Sequence, residues 1–208
     1  MTTPGSATSP STRDRILVAA IDLLTESGWQ SITMGRLADR AGVSRQTVYN
    51  EIGSKPELAD AVVLDELGRF LAVVDDGFDR HPRSLSAALY AAVLGVLERA
   101  RDSAIMVAIV SSTTGADTEL LPPLTTRSTS LLDTARTVVT ARLSSYDVRI
   151  DDRTRDAAVD ALVRTVLSHV MQPSGTPAQS AAGIADVIAG VLSGGKVRRP
   201  PPRSRVRG

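Results

Sequence analysis

Apolar residues recur along this chain at helical rather than strand spacing. Ile16, Ala19, Ala20, Leu23 and Leu24 form one stripe at intervals of three and four. Ser11-Thr-Arg-Asp14 ahead of it has the form of a capping box, and Ser27-Gly28 behind it predicts a stop with Gly28 as a left-handed cap. Trp29 and Ile32 then fall in a short connector expected to pack on the core. Thr33 is placed to cap a second short helix through Arg40, with Met34, Leu37 and Ala38 facing inward. Ala41-Gly42-Val43 reads as a tight turn, after which Ser44 caps a third helix to Asn50. Ser54-Lys55-Pro56-Glu57 repeats the capping box with proline in the first turn. It opens a long helix striped by Leu58, Val62, Leu67, Phe70, Leu71 and Val74 and broken at Pro82.

Further helices are predicted over about 84–101, 103–111, 119–144, 153–172 and 177–193, with Gly115, Pro122-Pro123 and Pro173 to Pro177 as punctuation. No stretch alternates as a strand would, so the fold class is all-α. The domain reading is a tail over 1–10, a three-helix head with a helix-turn-helix over 11–54, a helical bundle over 55–193, and a basic tail over 194–208. Both tails lack an apolar stripe and are expected to be disordered.

Composition narrows the chemistry. There is no cysteine and there are only two histidines, His81 and His169, which excludes disulfides, thiolate metal sites and a multi-histidine metal site. No metal or cofactor is therefore expected. The missing cysteines suit a reducing cytoplasm, no apolar run reaches the length of a bilayer span, and residues 1–10 have no signal-peptide pattern. A cytoplasmic protein without membrane contact is the expectation. The net charge of +1 hides a mildly acidic body and a tail of +6 over the last fifteen residues. Bulk charge is thus no argument for nucleic acid, and the case rests on where charges sit.

Residues 33–50 fit two short helices joined by a glycine turn, the plan of a DNA-reading motif. Burying Met34, Leu37, Ala38, Val43 and Val48 leaves Arg45, Gln46, Thr47, Tyr49 and Asn50 outward. Arg suits guanine, Gln or Asn suits adenine, Thr a thymine methyl, and Tyr a phosphate. Arg36 and Lys55 lie near helix N-termini, where backbone N–H groups favour phosphate. On spacing alone the same pattern describes an ordinary helical hairpin with its polar residues in water.

From Arg13 to Leu58 the chain resembles the DNA-binding domain of the tetracycline-repressor (TetR) family. The residues that carry this are Ile16-Leu17-x-Ala19-Ala20, Leu23-Leu24, Gly28-Trp29, Thr33, Leu37-Ala38, Ala41-Gly42-Val43-Ser44, Thr47-Val48-Tyr49 and Gly53-Ser54-Lys55-x-Glu57-Leu58. Ile52 departs from the pattern, which usually has an aromatic residue three places after the tyrosine. The resemblance implies a DNA-binding head on a divergent helical body that dimerises and binds an effector. It implies phosphate-backbone contacts at Thr33, Arg36, Ser44, Tyr49 and Lys55, and base reading at Arg45, Gln46 and Thr47. The local sequence is also similar to actinobacterial members tied to lipid metabolism.

The body offers no catalytic constellation: its acids are scattered, and no glycine-rich phosphate loop follows a strand. An enzyme is not expected. Its apolar stripes read as plain core, residue by residue, but the resemblance implies a cavity among them. Phe70, Val74, Leu94, Ile105, Met106, Ile109 and Leu131 are the candidate lining, with no charged residue in the stripes. Such a lining suits an apolar, elongated effector such as a fatty acid or acyl thioester. The last two helices have the broadest apolar faces, and Leu162, Val166, Val170, Ile184, Ile188 and Val191 are the candidate dimer interface; burial within one protomer is the alternative. His169 beside that face reads as a core or interface histidine. The function expected is a homodimeric repressor of double-stranded operator DNA, released by its effector. The alternative is a lipid-binding or carrier protein whose helix-turn-helix no longer reads DNA.

Overall fold

The structure, a computed structural model, describes residues 10–112 and 128–194. Both expected tails therefore lie outside the described residues, apart from Pro10 and Gly194, as does the first part of the helix expected from 119. All regular structure among the described residues is helical. The head comprises α1 (Thr12–Ser27), a 3-10 turn (Trp29–Ser31), α2 (Met34–Ala41) and α3 (Arg45–Glu51). The body comprises α4 (Lys55–Arg80), α5 (Leu85–Asp102), α6 (Ala104–Ser112), α7 (Ser128–Leu143), α8 (Asp152–Met171) and α9 (Pro177–Leu192). No described helix is long and apolar enough to cross a membrane.

The starts of these helices follow from short polar side chains. Ser11 with Asp14, Ser54 with Glu57, and Thr176 with Gln179 each form a reciprocal capping box, and Thr33, Ser44 and Ser84 cap singly. Gly42 ends α2 in the left-handed conformation at φ 67°, ψ 41°. Gly28 differs from expectation. Its φ of 76° is positive, but its ψ of 164° lies outside the left-handed helical basin. The chain leaves α1 extended and passes at once into the 3-10 turn, which buries Trp29 in the core.

Two apolar clusters hold the molecule together. The head cluster joins Ile16, Ala20, Leu23, Trp29, Leu37 and Val48 to Leu58 and Val62 of α4 and to Ile105 and Ile109 of α6. The head is thus not closed at residue 54; it borrows two body helices to complete its core. Ile52, at the position where an aromatic is usual, is buried in this cluster. The body cluster gathers Phe78, Leu89, Val93, Leu97, Val139, Leu143, Val159, Leu162, Ile184 and Ile188. Arg142 ties α7 to α4 through Asp75 and Asp79 at 2.5 and 2.6 Å, and Arg136 ties α7 to α8 through Asp160.

The close packing of α4 along α5 rests on two glycines, Gly95 of α5 against Val73 and Gly77 of α4 against Ala92. A Cβ built on Gly77 would lie 2.6 Å from the Ala92 backbone nitrogen and 2.7 Å from its Cα. Alanine is the better helix former by about 1 kcal/mol, yet prising the two helices apart should cost roughly 1–3 kcal/mol. Gly77→Ala is therefore expected to lower the urea midpoint. A raised midpoint would show that the approach is not tight.

Candidate functional site

The outer face of the head is built by burying its opposite side. Val48 is fully buried, which points Gln46, Tyr49 and Asn50 outward from α3, with Arg45 beside them. Thr33, Arg36 and Ser44 are also exposed, while Thr47 and Lys55 are half-buried. The nine residues expected to meet DNA thus lie along α3 and the adjoining starts of α2 and α4.

Their present contacts are mostly within the chain. The Gln46 Nε2 amide donates to Asn50 Oδ1 at 2.9 Å, so one adenine-type reader holds the other. Ser44 and Thr47 share a hydroxyl hydrogen bond of 2.8 Å, and the Ser44 hydroxyl also accepts from the Thr47 N–H. The Arg45 guanidinium lies back over α2, so close that a Cβ at Gly35 would stand 2.9 Å from its Nη2. Arg36 donates to the Ser31 carbonyl at 2.8 Å, and the Lys55 ammonium sits 5.8 Å from the centre of the Trp29 ring. Arg40, the other cation of α2, is committed elsewhere. It grips Glu26 through two bonds of 2.7 and 2.6 Å, and that contact holds the Glu26 carboxyl below its ordinary range.

Behind the head the body helices line a half-open cavity of about 380 Å³. This is within the size range of small-molecule sites, towards its lower end. Phe70, Val74, Ile105, Met106, Ile109 and Leu131 line it as expected from the sequence, together with Leu67, Leu71, Val93, Val96, Val139 and Val166. Leu94 does not. It lies one residue, about 100° of helix, round from Val93 and packs into the body cluster instead. Ile105 and Ile109 have a double role, since they line the cavity and also complete the core of the head.

One lining residue overturns the expectation that the apolar stripes carry no charge. Glu66 is only 4% exposed and borders the cavity. Its Oε2 accepts a 2.9 Å hydrogen bond from Arg99 Nη2. The signal was in the sequence: residue 66 stands four places from Val62 and four from Phe70, so a carboxylate interrupts the stripe itself.

The candidate interface residues divide. Leu162, Ile184 and Ile188 are buried within their own protomer. Val166 and Val170 are half-buried and line the cavity, and Val191 is exposed. The apolar surface left in water on α8 and α9 is Leu167, Val187 and Val191, at 44, 66 and 40% exposure. Leu167 also borders the cavity, and small residues are exposed on the same two helices: Ala157 and Ala161 on α8, and Ala182, Gly183 and Gly190 on α9. His169, half-buried nearby, has Nδ1 2.9 Å from the Thr165 carbonyl oxygen, an ordinary partner within its own helix.

Comparison with known proteins bears on both halves of the chain. Residues 16–62 match the family model described as "Bacterial regulatory proteins, tetR family", and residues 84–190 match "Bacterial Tetracyclin repressor, C-terminal domain". The chain is 31% identical over 177 residues to the HTH-type transcriptional regulator AlkX of Mycobacterium tuberculosis, covering 85% of this chain and 82% of that one. It also superposes on the crystal structure of the TetR family repressor AlkX from Dietzia sp., a protein implicated in biodegradation of n-alkanes. That match has a TM-score of 0.72 at 29% identity and covers 86% of this chain and 97% of the other. A transcriptional regulator from Rhodococcus sp. matches with a TM-score of 0.60 at 22% identity, over 91% of this chain and 100% of that one, a likeness of fold.

Proposed function

The chain belongs to the TetR family of DNA-binding transcriptional regulators, and from that premise we propose that it is a homodimeric repressor released from its operator by an apolar, elongated effector. It is a regulator and not an enzyme. The observation that carries the proposal is the shared wall: Ile105 and Ile109 of α6 border the cavity and also pack in the core of the head. A ligand that moves α6 therefore acts on the packing that orients α3. Two recognition helices in a dimer must stand about one turn of DNA apart, roughly 34–36 Å, to occupy a near-palindromic operator. An effector with higher affinity for a splayed arrangement lowers operator affinity by that difference in affinity.

The effector class follows from the lining. Burying a hydrophilic metabolite against these side chains would leave most of its polar groups unpaired, whereas an alkyl chain gains with every methylene. A fatty acid, an acyl thioester or another long-chain compound fits that description. The n-alkane connection of the Dietzia repressor supports the same class.

Operator binding tests the head. Gln46, with Arg45 and Thr47, is an assigned base reader, and Lys55 with Tyr49 an assigned backbone contact. Gln46→Ala should cost roughly 1–3 kcal/mol at one base step and relax specificity there. Lys55→Ala should weaken operator and random DNA alike and flatten the salt dependence. Gel shifts in which both variants bind like the parent would remove these assignments.

A further inference from the structure

We propose that Glu66, backed by Arg99, forms a head-group site at the edge of the cavity that selects a neutral hydroxyl at the end of an apolar chain, the chemistry of a long-chain primary alcohol. The inference rests on reading the cavity as the effector site, and it narrows the effector class. Glu66 spends one oxygen on Arg99. Its other oxygen, Oε1, is buried and has no hydrogen-bond partner among the described residues, and the same holds for Arg99 Nε. The Arg99 guanidinium lies behind Glu66, 30% exposed and 5.6 Å from the centre of the ring of Phe70, which does line the cavity. A buried carboxylate oxygen without a donor is costly, and in an otherwise apolar wall it leaves a place for a donor that none of the described residues supplies.

The two unfilled atoms define that partner. Oε1 needs a donor and Nε–H needs an acceptor. A hydroxyl supplies both from one atom: its O–H donates to Glu66 Oε1 while its lone pair accepts from Arg99 Nε. The charges of the pair cancel, so no surplus cation is present to hold an anion. An alkanoate would set a second carboxylate beside Glu66 in a poorly screened site. An ester or thioester only accepts, and an alkane does neither, so each leaves Oε1 unpaired.

The test is displacement of a fluorescent apolar probe, 1-anilinonaphthalene-8-sulfonate, from the full chain near neutral pH. The competitors are decan-1-ol, decanoate and methyl decanoate. Decan-1-ol should bind at least about tenfold tighter than either of the others, the effect of one hydrogen bond to a charged group. In Glu66→Gln the anion is gone and Arg99 is left with surplus charge, so decanoate should overtake decan-1-ol. A purely structural role for Glu66 would shift both affinities together. Equal or tighter binding of decanoate by the parent protein overturns the proposal while leaving the cavity reading in place, and so does an unchanged ranking in the variant. If Glu66→Gln does not fold, the parent's ranking decides alone. Failure of all three compounds to displace the probe would sink the effector-cavity reading and this inference with it.

Discussion

Val187→Glu should convert the protein from dimer to monomer and abolish operator binding while leaving each protomer folded. Val187 is 66% exposed in the single chain, so a carboxylate there meets water and should change protomer stability by no more than about 0.5 kcal/mol. The proposed interface is another matter. Val187 and Val191 stand one turn apart on the exposed side of α9, with Gly183 and Gly190 beside them, small residues that let a second helix approach closely. An unpaired carboxylate buried in that contact costs about 3–5 kcal/mol, and two-fold symmetry places two of them there. The dimer dissociation constant should therefore rise by at least roughly a thousandfold. A half-site bound by one head loses the second set of contacts, so operator affinity falls with the dimer. Sedimentation should show monomer with unchanged helical circular dichroism. The same experiment at Ile188 would mislead, because Ile188 is buried in its own protomer and a charge there would unfold it. A wild-type protein that sediments as a monomer at micromolar concentration would remove the interface.

That contrast between Val187 and Ile188 marks the limit of what the sequence could say. Caps and stripes are local signals, and they placed the helix starts at Thr12, Met34, Arg45, Lys55 and Pro177 within a residue or two of those observed. The head was the most legible part, because its turn glycine, its caps and the burial of Val48 all point the same way. Which side of a broadly apolar helix faces its own core, a cavity or a partner is not local. On α9, apolar residues occur all round, so Ile184 and Ile188 could not be told from Val187 until α5 was seen packed against them. Leu94 failed for the same reason, one step round α5 from the cavity. Glu66 was missed because its partner Arg99 lies thirty-three residues away on another helix. Ile109 shows a further kind of silence: nothing in its spacing reveals that one side chain serves two cores.

Lengthening the alkyl chain of an effector should tighten its action on the operator-bound dimer until the cavity is full, and then weaken it sharply. Each buried methylene contributes about 0.8 kcal/mol, so about six more should improve potency by roughly three powers of ten. The rise cannot continue, since the cavity offers only about 380 Å³ and its walls are packed helices that resist expansion. The position of the maximum is itself a handle. Ala135 lines the cavity from α7, away from the residues that complete the head. Ala135→Phe should shorten the best chain by several carbons, because it fills space that the longer chain used. Ile109→Trp would not separate the effects, since the same side chain supports the head core and operator affinity would suffer directly. The measurement is release of a fluorescent operator duplex, followed by anisotropy, against a homologous series of alcohols and acids. Potency that stays flat along the series would end the apolar-effector reading, and so would release by a small polar metabolite where no chain succeeds. A maximum that moves to shorter chains in Ala135→Phe would tie the effect to this cavity and, through Ile105 and Ile109, to the orientation of α3.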